Sequence, residues 1–218
     1  MLNPAIIIFD CDGVLLDANH MKINAFRQTL ADYPAEAAAL FSDFQARNFG
    51  RSRYVLFELF FQFLGREPEA GEVDKLVECY ARRVRSAYLD VPLTPGCQAT
   101  LERLAHYAPL YVASGSDQEE LRWVMAHRSL GQYFAGVLGS PASKADILAA
   151  LKPDAGSRAL FIGDAKADLE AAQCHDWCDF VYMRLFSTAK PEMELLISAA
   201  NLPTINTLPE LMALLLPK

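Results

Sequence analysis

The chain reads as an α/β protein, with a doubly wound parallel sheet and a separate all-helical subdomain inserted after the first strand. Three observations carry this reading. Ala5-Ile6-Ile7-Ile8-Phe9 is an unbroken apolar, β-branched run, as a strand buried on both faces requires. Similar runs recur beyond residue 109, alternating with helical patterns, which is the signature of strand-helix winding. Between them, residues 18–90 are helix-forming throughout and hold no strand candidate.

Taken in order, the first strand is followed by four predicted helices at 19–33, 34–47, 52–64 and 71–88. Pro34, Gly50 and the segment 65–68 separate them. Residues 90–96, with two prolines and a glycine, read as the return linker. Beyond it come a helix at 98–107, a strand at 110–113 and a helix at 118–128. A weaker strand candidate at 134–138 and a short helix at 142–151 follow. A strand at 159–162, a helix at 167–174 and a strand at 180–183 complete the alternation. The apolar run 211–216 reads as a helix end packed on the core. The expected division is therefore a sheet domain of residues 1–17 and 91–218, and a helical domain of residues 18–90.

Bulk properties narrow the partners. The chain has 218 residues, 52% of them hydrophobic, enough for a sizeable core. Its net charge of -7, with no lysine-arginine block, argues against nucleic acid. No stretch approaches the roughly 20 apolar residues of a membrane helix. The first ten residues lack the basic region of a signal peptide. The 5 cysteines are odd in number and irregularly spaced, which fits a reducing cytoplasm better than a disulfide framework. Cys174, His175 and Cys178 lie close together, but no second ligand pair exists to complete a structural zinc site.

Four short features stand at the ends of predicted strands, where open α/β sheets bind ligands. Asp10-Cys11-Asp12-Gly13 leaves the first strand with two carboxylates two residues apart. One suits a nucleophile and the other a general acid and base, although an acidic loop is the plainer reading. Ser114-Gly115-Ser116 offers hydroxyls and backbone amides to a phosphate, or simply caps a helix together with Asp117. Lys144 opens a helix, a position the helix dipole disfavours, so it points toward an anion or is ordinary surface. Gly163-Asp164-Ala165-Lys166-Ala167-Asp168 offers hard oxygen ligands of the kind magnesium takes, with Asp168 one helical turn beyond Asp164.

In this order the four features resemble the motifs of the haloacid dehalogenase superfamily. Asp10, Asp12, Gly13 and Val14 match the first motif, Ser114 the second, Lys144 the third, and Gly163, Asp164 and Asp168 the fourth. The resemblance spans nearly the whole chain and is greatest to the branch of phosphoglycolate phosphatase and β-phosphoglucomutase. It implies a Rossmann-like catalytic core with a helical cap. It further implies a Mg2+-dependent phosphatase acting through an aspartyl-phosphate, with Asp10 as nucleophile and Asp12 as acid and base. Ser114, Gly115 and Lys144 would bind phosphate. Magnesium would be held by the Asp10 side chain, the Asp12 backbone carbonyl and Asp164, with Asp168 supporting. An acid at position 12 favours phosphate esters over dehalogenation or phosphonate cleavage.

Substrate choice is expected in the helical insert. Many relatives carry histidine where this chain has Lys22, which reads either as an exposed helix lysine or as a contact for an anionic substrate. Arg51 and Arg53 follow a glycine turn and reach a second anionic group or face water. Phe57, Phe60, Phe61 and Phe63 read as the insert's own core. The expected partner is a small phosphorylated metabolite, handled by a monomer or homodimer with no nucleic acid and no membrane. Two alternatives remain open. A phosphosugar mutase would use the same residues. A non-catalytic phospho-acceptor module would lack the Asp-x-Asp pair and the insert.

Overall fold

The computed structural model describes residues 2–215. β1 (Ile6–Phe9) lies at the centre of the sheet. The other strands are β2 (Leu110–Asp117), β3 (Gly136–Ser140), β4 (Ala159–Gly163), β5 (Cys178–Met183) and β6 (Thr204–Ile205). Among the described residues these form one 6-stranded sheet in the order β3-β2-β1-β4-β5-β6. All the pairings are parallel.

The unbroken apolar runs follow from burial on both faces. Ile7 and Phe9 join one core layer with Val112, Ile162 and Val181. Ile8 faces the other way, into a second layer with Phe161, Phe180 and Tyr182. α5 (Cys97–Ala105) and α6 (Gln118–His127) contribute Leu101, Leu104, Leu121 and Val124 to the first layer. α7 (Lys144–Ala150), α8 (Lys166–Gln173) and α9 (Lys190–Ala199) contribute Ile147, Leu169 and Met193 to the second. Alternating side chains of each strand therefore feed two helical layers.

The helical insert consists of α1 (Asn19–Thr29), α2 (Ala35–Arg47), α3 (Arg53–Phe63) and α4 (Glu72–Ala87). Its centre is aromatic. The Phe26 ring lies 4.2 Å from Tyr80 and 4.7 Å from Phe57, and Phe41 lies 5.2 Å from Phe60. Phe57, Phe60 and Phe61 are buried as expected. Phe63 stays partly exposed, with its ring against Phe41 and Phe44. The outgoing and returning chains run side by side. Asp17 N donates to Pro92 O at 2.9 Å, and Thr94 N donates to Leu15 O at 3.0 Å.

The element boundaries differ from the sequence reading in instructive ways. β2 runs on to Asp117 instead of ending at Ala113, because after a register irregularity the serine-rich segment rejoins β3 at Ser140. α9 and β6 were not anticipated; β6 is 2 residues long, too short to leave a pattern. α10 (Leu211–Leu215) buries Leu211 and Leu215, while Leu216 of the expected helix end lies outside the described residues.

The aromatic centre of the insert should dominate its stability. Phe60→Ala removes a fully buried ring and is expected to cost about 3–5 kcal/mol. The check is a fall in the urea unfolding midpoint. An unchanged midpoint would show that the insert does not depend on this packing.

Candidate active site

The sheet order reverses on either side of β1, so β1 and β4 flank the switch point where such folds bind ligands. Phe9 pairs with Ile162, and Asp10 N donates to Ile162 O at 2.9 Å. That pairing brings Asp10 and Asp164 together across more than 150 residues of chain. Gly13 makes their approach possible. Its φ is +84°, and a Cβ there would sit 2.2 Å from Asp164 Oδ2. Asp168, in the first turn of α8, accepts a hydrogen bond from Ala165 N at 3.0 Å and so caps its own helix.

Carboxylate oxygens of Asp10, Asp164 and Asp168 lie within 4.8 Å of one another, and all three residues are buried. Among the described residues one cation pairs with them. Lys144, the first residue of α7, places Nζ 3.0 Å from Asp10 Oδ1 and donates a short hydrogen bond to Asp168. Burial works against the Lys144 ammonium, but Asp10 and Asp168 outweigh it and hold its pKa above the ordinary lysine value. The carboxylates remain in excess. Burial, then the charges of Asp168 and Asp12, push Asp10 up to about 7 against the pull of Lys144. Burial, then Asp10 and Asp168, push Asp164 well above the usual carboxylate range.

This excess suits a divalent cation. Among the described residues, Asp10 Oδ1 and Asp164 Oδ1 have no hydrogen-bond partner; the Asp10–Lys144 contact is an ion pair without hydrogen-bond alignment. Two buried carboxylates, each with an oxygen free of hydrogen bonds, in a cluster of three acids form a donor set that magnesium would accept.

Asp12 occupies a different environment. Its Oδ2 accepts from Lys22 Nζ at 2.5 Å and from Ser116 Oγ at 3.0 Å, and its Oδ1 accepts a short hydrogen bond from Tyr88 Oη. Lys22 comes from α1 and Tyr88 from the end of α4, so both ends of the insert converge on one carboxylate. Burial, then the Asp12 charge, push the Tyr88 hydroxyl well above its ordinary pKa, which keeps it a donor.

A model of the haloacid dehalogenase-like hydrolases matches residues 4–176. The chain belongs to this family. Solved structures agree on the fold. A haloacid dehalogenase-like family hydrolase from Streptococcus pneumoniae aligns with a TM-score of 0.70 at 22% identity, over 98% of this chain and 99% of that one. A "predicted phosphoglycolate phosphatase" from Haemophilus somnus aligns at 0.65 and 18% identity, over 84% and 86%. A family member from Bacillus subtilis, whose magnesium-bound structure is described as revealing interdomain movement, aligns at 0.66 and 18% identity, over 98% and 99%. Among curated proteins no match is found.

The remaining motif residues of the hydrolase surround the same place. Ser114 is buried, and its Oγ bonds with Ser116 Oγ at 3.1 Å. Gly115 lies beneath the insert, because a Cβ there would meet Gly50 O at 2.2 Å. Asp10, Asp12, Lys22, Arg51, Arg53, Ser114 and Gly115 all line one cavity of about 30 Å³. Lys144 reaches Asp10 from the side.

The insert's basic residues part company. Lys22 is not the exposed helix lysine that the plainer reading favoured; it is 5% exposed because Asp12 and Ser116 hold its ammonium. Arg51 lines the cavity while remaining exposed. Arg53 is only 4% exposed, and its guanidinium is engaged elsewhere. It grips both oxygens of Glu120 on α6 and stacks 4.8 Å over the Tyr80 ring. Tyr54 Oη adds a bond to Asp117 Oδ2 at 3.2 Å, so the start of α3 is tied to the start of α6.

Asn19 and Tyr88 escaped sequence reasoning, as did the bond of Ser116 to Asp12. Asn19 donates to Asp164 Oδ2 at 2.7 Å and to Phe186 O at 2.9 Å, orienting that carboxylate. Tyr88 and Ser116 hold Asp12. Only Ser116 had a local signal, its place in the serine-rich turn.

The carboxylate excess predicts a pH dependence in the metal-free hydrolase. Asp10 has a folded pKa of about 7 against an ordinary 3.8, so the folded state binds its proton more tightly. Its contribution to stability is therefore full below pH 4, falls as pH rises toward 7 and is flat beyond. Asp10→Asn should lose this slope. Urea melts in chelator from pH 4 to 8 test it, and parallel curves for the two proteins would refute the assignment.

Proposed function

We propose that this hydrolase is a phosphatase that cleaves a small phosphorylated metabolite through an aspartyl-phosphate. The observation that carries the reading is the contrast between Asp10 and Asp12. Asp10 lines the cavity, and its Oδ1 is held by no hydrogen bond, only by the Lys144 charge, which leaves the carboxylate free to act as a nucleophile. Asp12 shares the cavity but is oriented by three donors, which fix its position as a base and as the carrier of a proton between water and the leaving oxygen. Two carboxylates in unlike environments divide the labour.

In the first step an Asp10 oxygen attacks phosphorus, and the bond from phosphorus to the leaving oxygen breaks. Asp12 donates its proton to that oxygen, releasing an alcohol. In the second step Asp12 takes a proton from water, whose oxygen attacks phosphorus. The bond to Asp10 breaks and inorganic phosphate leaves. Ser114, the Gly115 amide and Lys144 hold the transferring group, so that most of the catalysis is positioning and charge neutralisation. The Asp10 side chain, the Asp12 backbone carbonyl and Asp164 would hold magnesium, which would supply positive charge to the transferring group.

Residues 18–90 act in this reading as a cap over a core of residues 1–17 and 91–218. Gly50 of the insert lies against Gly115 of the core beside the cavity, so the cap opens to load substrate and closes to exclude water. The movement described for the Bacillus subtilis family member supports this. The unpaired cysteines fit a cytoplasmic setting.

The purified protein should turn over an aryl phosphate with added magnesium. Asp10→Asn should lower kcat by about three orders of magnitude or more. Robust turnover in excess chelator, or an active Asp10→Asn, would count against the reading. Isomerised sugar phosphate with little free phosphate would identify the mutase instead.

A further inference from the structure

The motifs leave one buried polar group of the catalytic cavity unexplained. Gln45 lies near the end of α2, on the insert, and is 1% exposed. Its helix packs Phe41 into the aromatic centre, where a long polar side chain gains nothing. Among the described residues its Oε1 has no hydrogen-bond partner. Gln45 lines the same cavity as Asp10, Asp12 and Ser114. Two neighbouring donors are committed elsewhere, with Lys22 on Asp12 and Ser116, and Arg53 on Glu120, while Arg51 at the exposed rim makes no bond to the amide. A buried amide without a partner calls for one that arrives from outside.

We infer that Gln45 selects the organic part of the substrate by hydrogen-bonding a hydroxyl on the leaving group. This rests on the phosphatase reading and sharpens it. The phosphoryl group sits at the carboxyl ends of the central strands, among Asp10, Ser114 and Lys144, and the alcohol is pressed against the insert, where Gln45 waits. An amide carries both a donor and an acceptor, so a hydroxyl pairs with it in either sense. Phe26, Phe49 and Leu56 line the same cavity, so a compact alcohol with one well-placed hydroxyl finds apolar surface for its carbon skeleton as well as a partner for its hydroxyl. The substrate class is therefore phosphate monoesters of small hydroxylated alcohols, in preference to plain alkyl phosphates of equal size.

The test compares kcat/KM for matched pairs: glycerol 1-phosphate with propyl phosphate, and 2-hydroxyethyl phosphate with ethyl phosphate. The wild type should prefer the hydroxylated member of at least one pair by about tenfold, the worth of one well-made hydrogen bond. Gln45→Leu, close in size, should bring that ratio to about one. It should leave turnover of the alkyl phosphate within about threefold, since no group that touches phosphorus changes. Gln45→Met is the second variant should leucine impair folding. A preference that survives in the variants, or a wild-type ratio of one in both pairs, overturns the inference; the amide is then satisfied by water alone. Calorimetric titration of Asp10→Asn with the same esters reads discrimination without turnover. Equal affinities there overturn the role of Gln45 while hydrolysis by the wild type upholds the phosphatase reading. Absence of turnover with every ester tested sinks the phosphatase reading and this inference with it.

Discussion

The crowding of Asp10, Asp164 and Asp168, with the Lys144 ammonium paired to Asp10 and Asp168, is the constraint on which the rest of this structure depends. Buried like charges are unfavourable, and removing one partner from such a cluster leaves another uncompensated. The fold holds them together by backbone means. Parallel pairing of β1 with β4 sets Asp10 beside Asp164, and the missing side chain of Gly13 lets them close in. Asp168 is fixed by capping its own helix. Lys144 begins a helix, against the preference of the helix dipole, because the surrounding carboxylates outweigh that penalty.

The insert is tied to this centre through Asp12 more than through its own loops. Lys22 and Tyr88 stand at opposite ends of the inserted segment and grip the same carboxylate. Movement of the insert therefore changes the hydrogen bonding of Asp12. Arg53 on Glu120 and Tyr54 on Asp117 make a second tie, between the starts of α3 and α6. In both ties, desolvation opposes the attraction between charges, so each holds through geometry and accessory hydrogen bonds more than through charge alone.

Much of this was legible in the residues. The run Ile6-Ile7-Ile8-Phe9 announced a central strand because burial on both faces forbids polar alternation. The four insert helices were legible because Pro34, Gly50 and Gly65 punctuate them and their periodicity is helical. Asp10, Asp12, Ser114, Lys144 and Asp164 were legible because each stands where an apolar strand run ends or a helix opens. Lys22 was read the wrong way by its plainer interpretation, since a helix lysine is usually solvated and nothing local reveals a carboxylate above it. Arg53 shows the reverse. Its charge and its glycine turn suggested a substrate contact, whereas Glu120, 67 residues away, takes the guanidinium.

The sequence by itself determined the alternation of strands and helices, the place of the insert and the chemical types at the strand ends. These depend on local periodicity, turn chemistry and short spacing, all carried by neighbouring residues. Only the tertiary structure decided which groups meet. Tyr88 on Asp12, Asn19 on Asp164 and the unpartnered Gln45 in the catalytic cavity join residues far apart in the chain. Their meeting is set by how the insert packs over the sheet, and no local pattern encodes that packing.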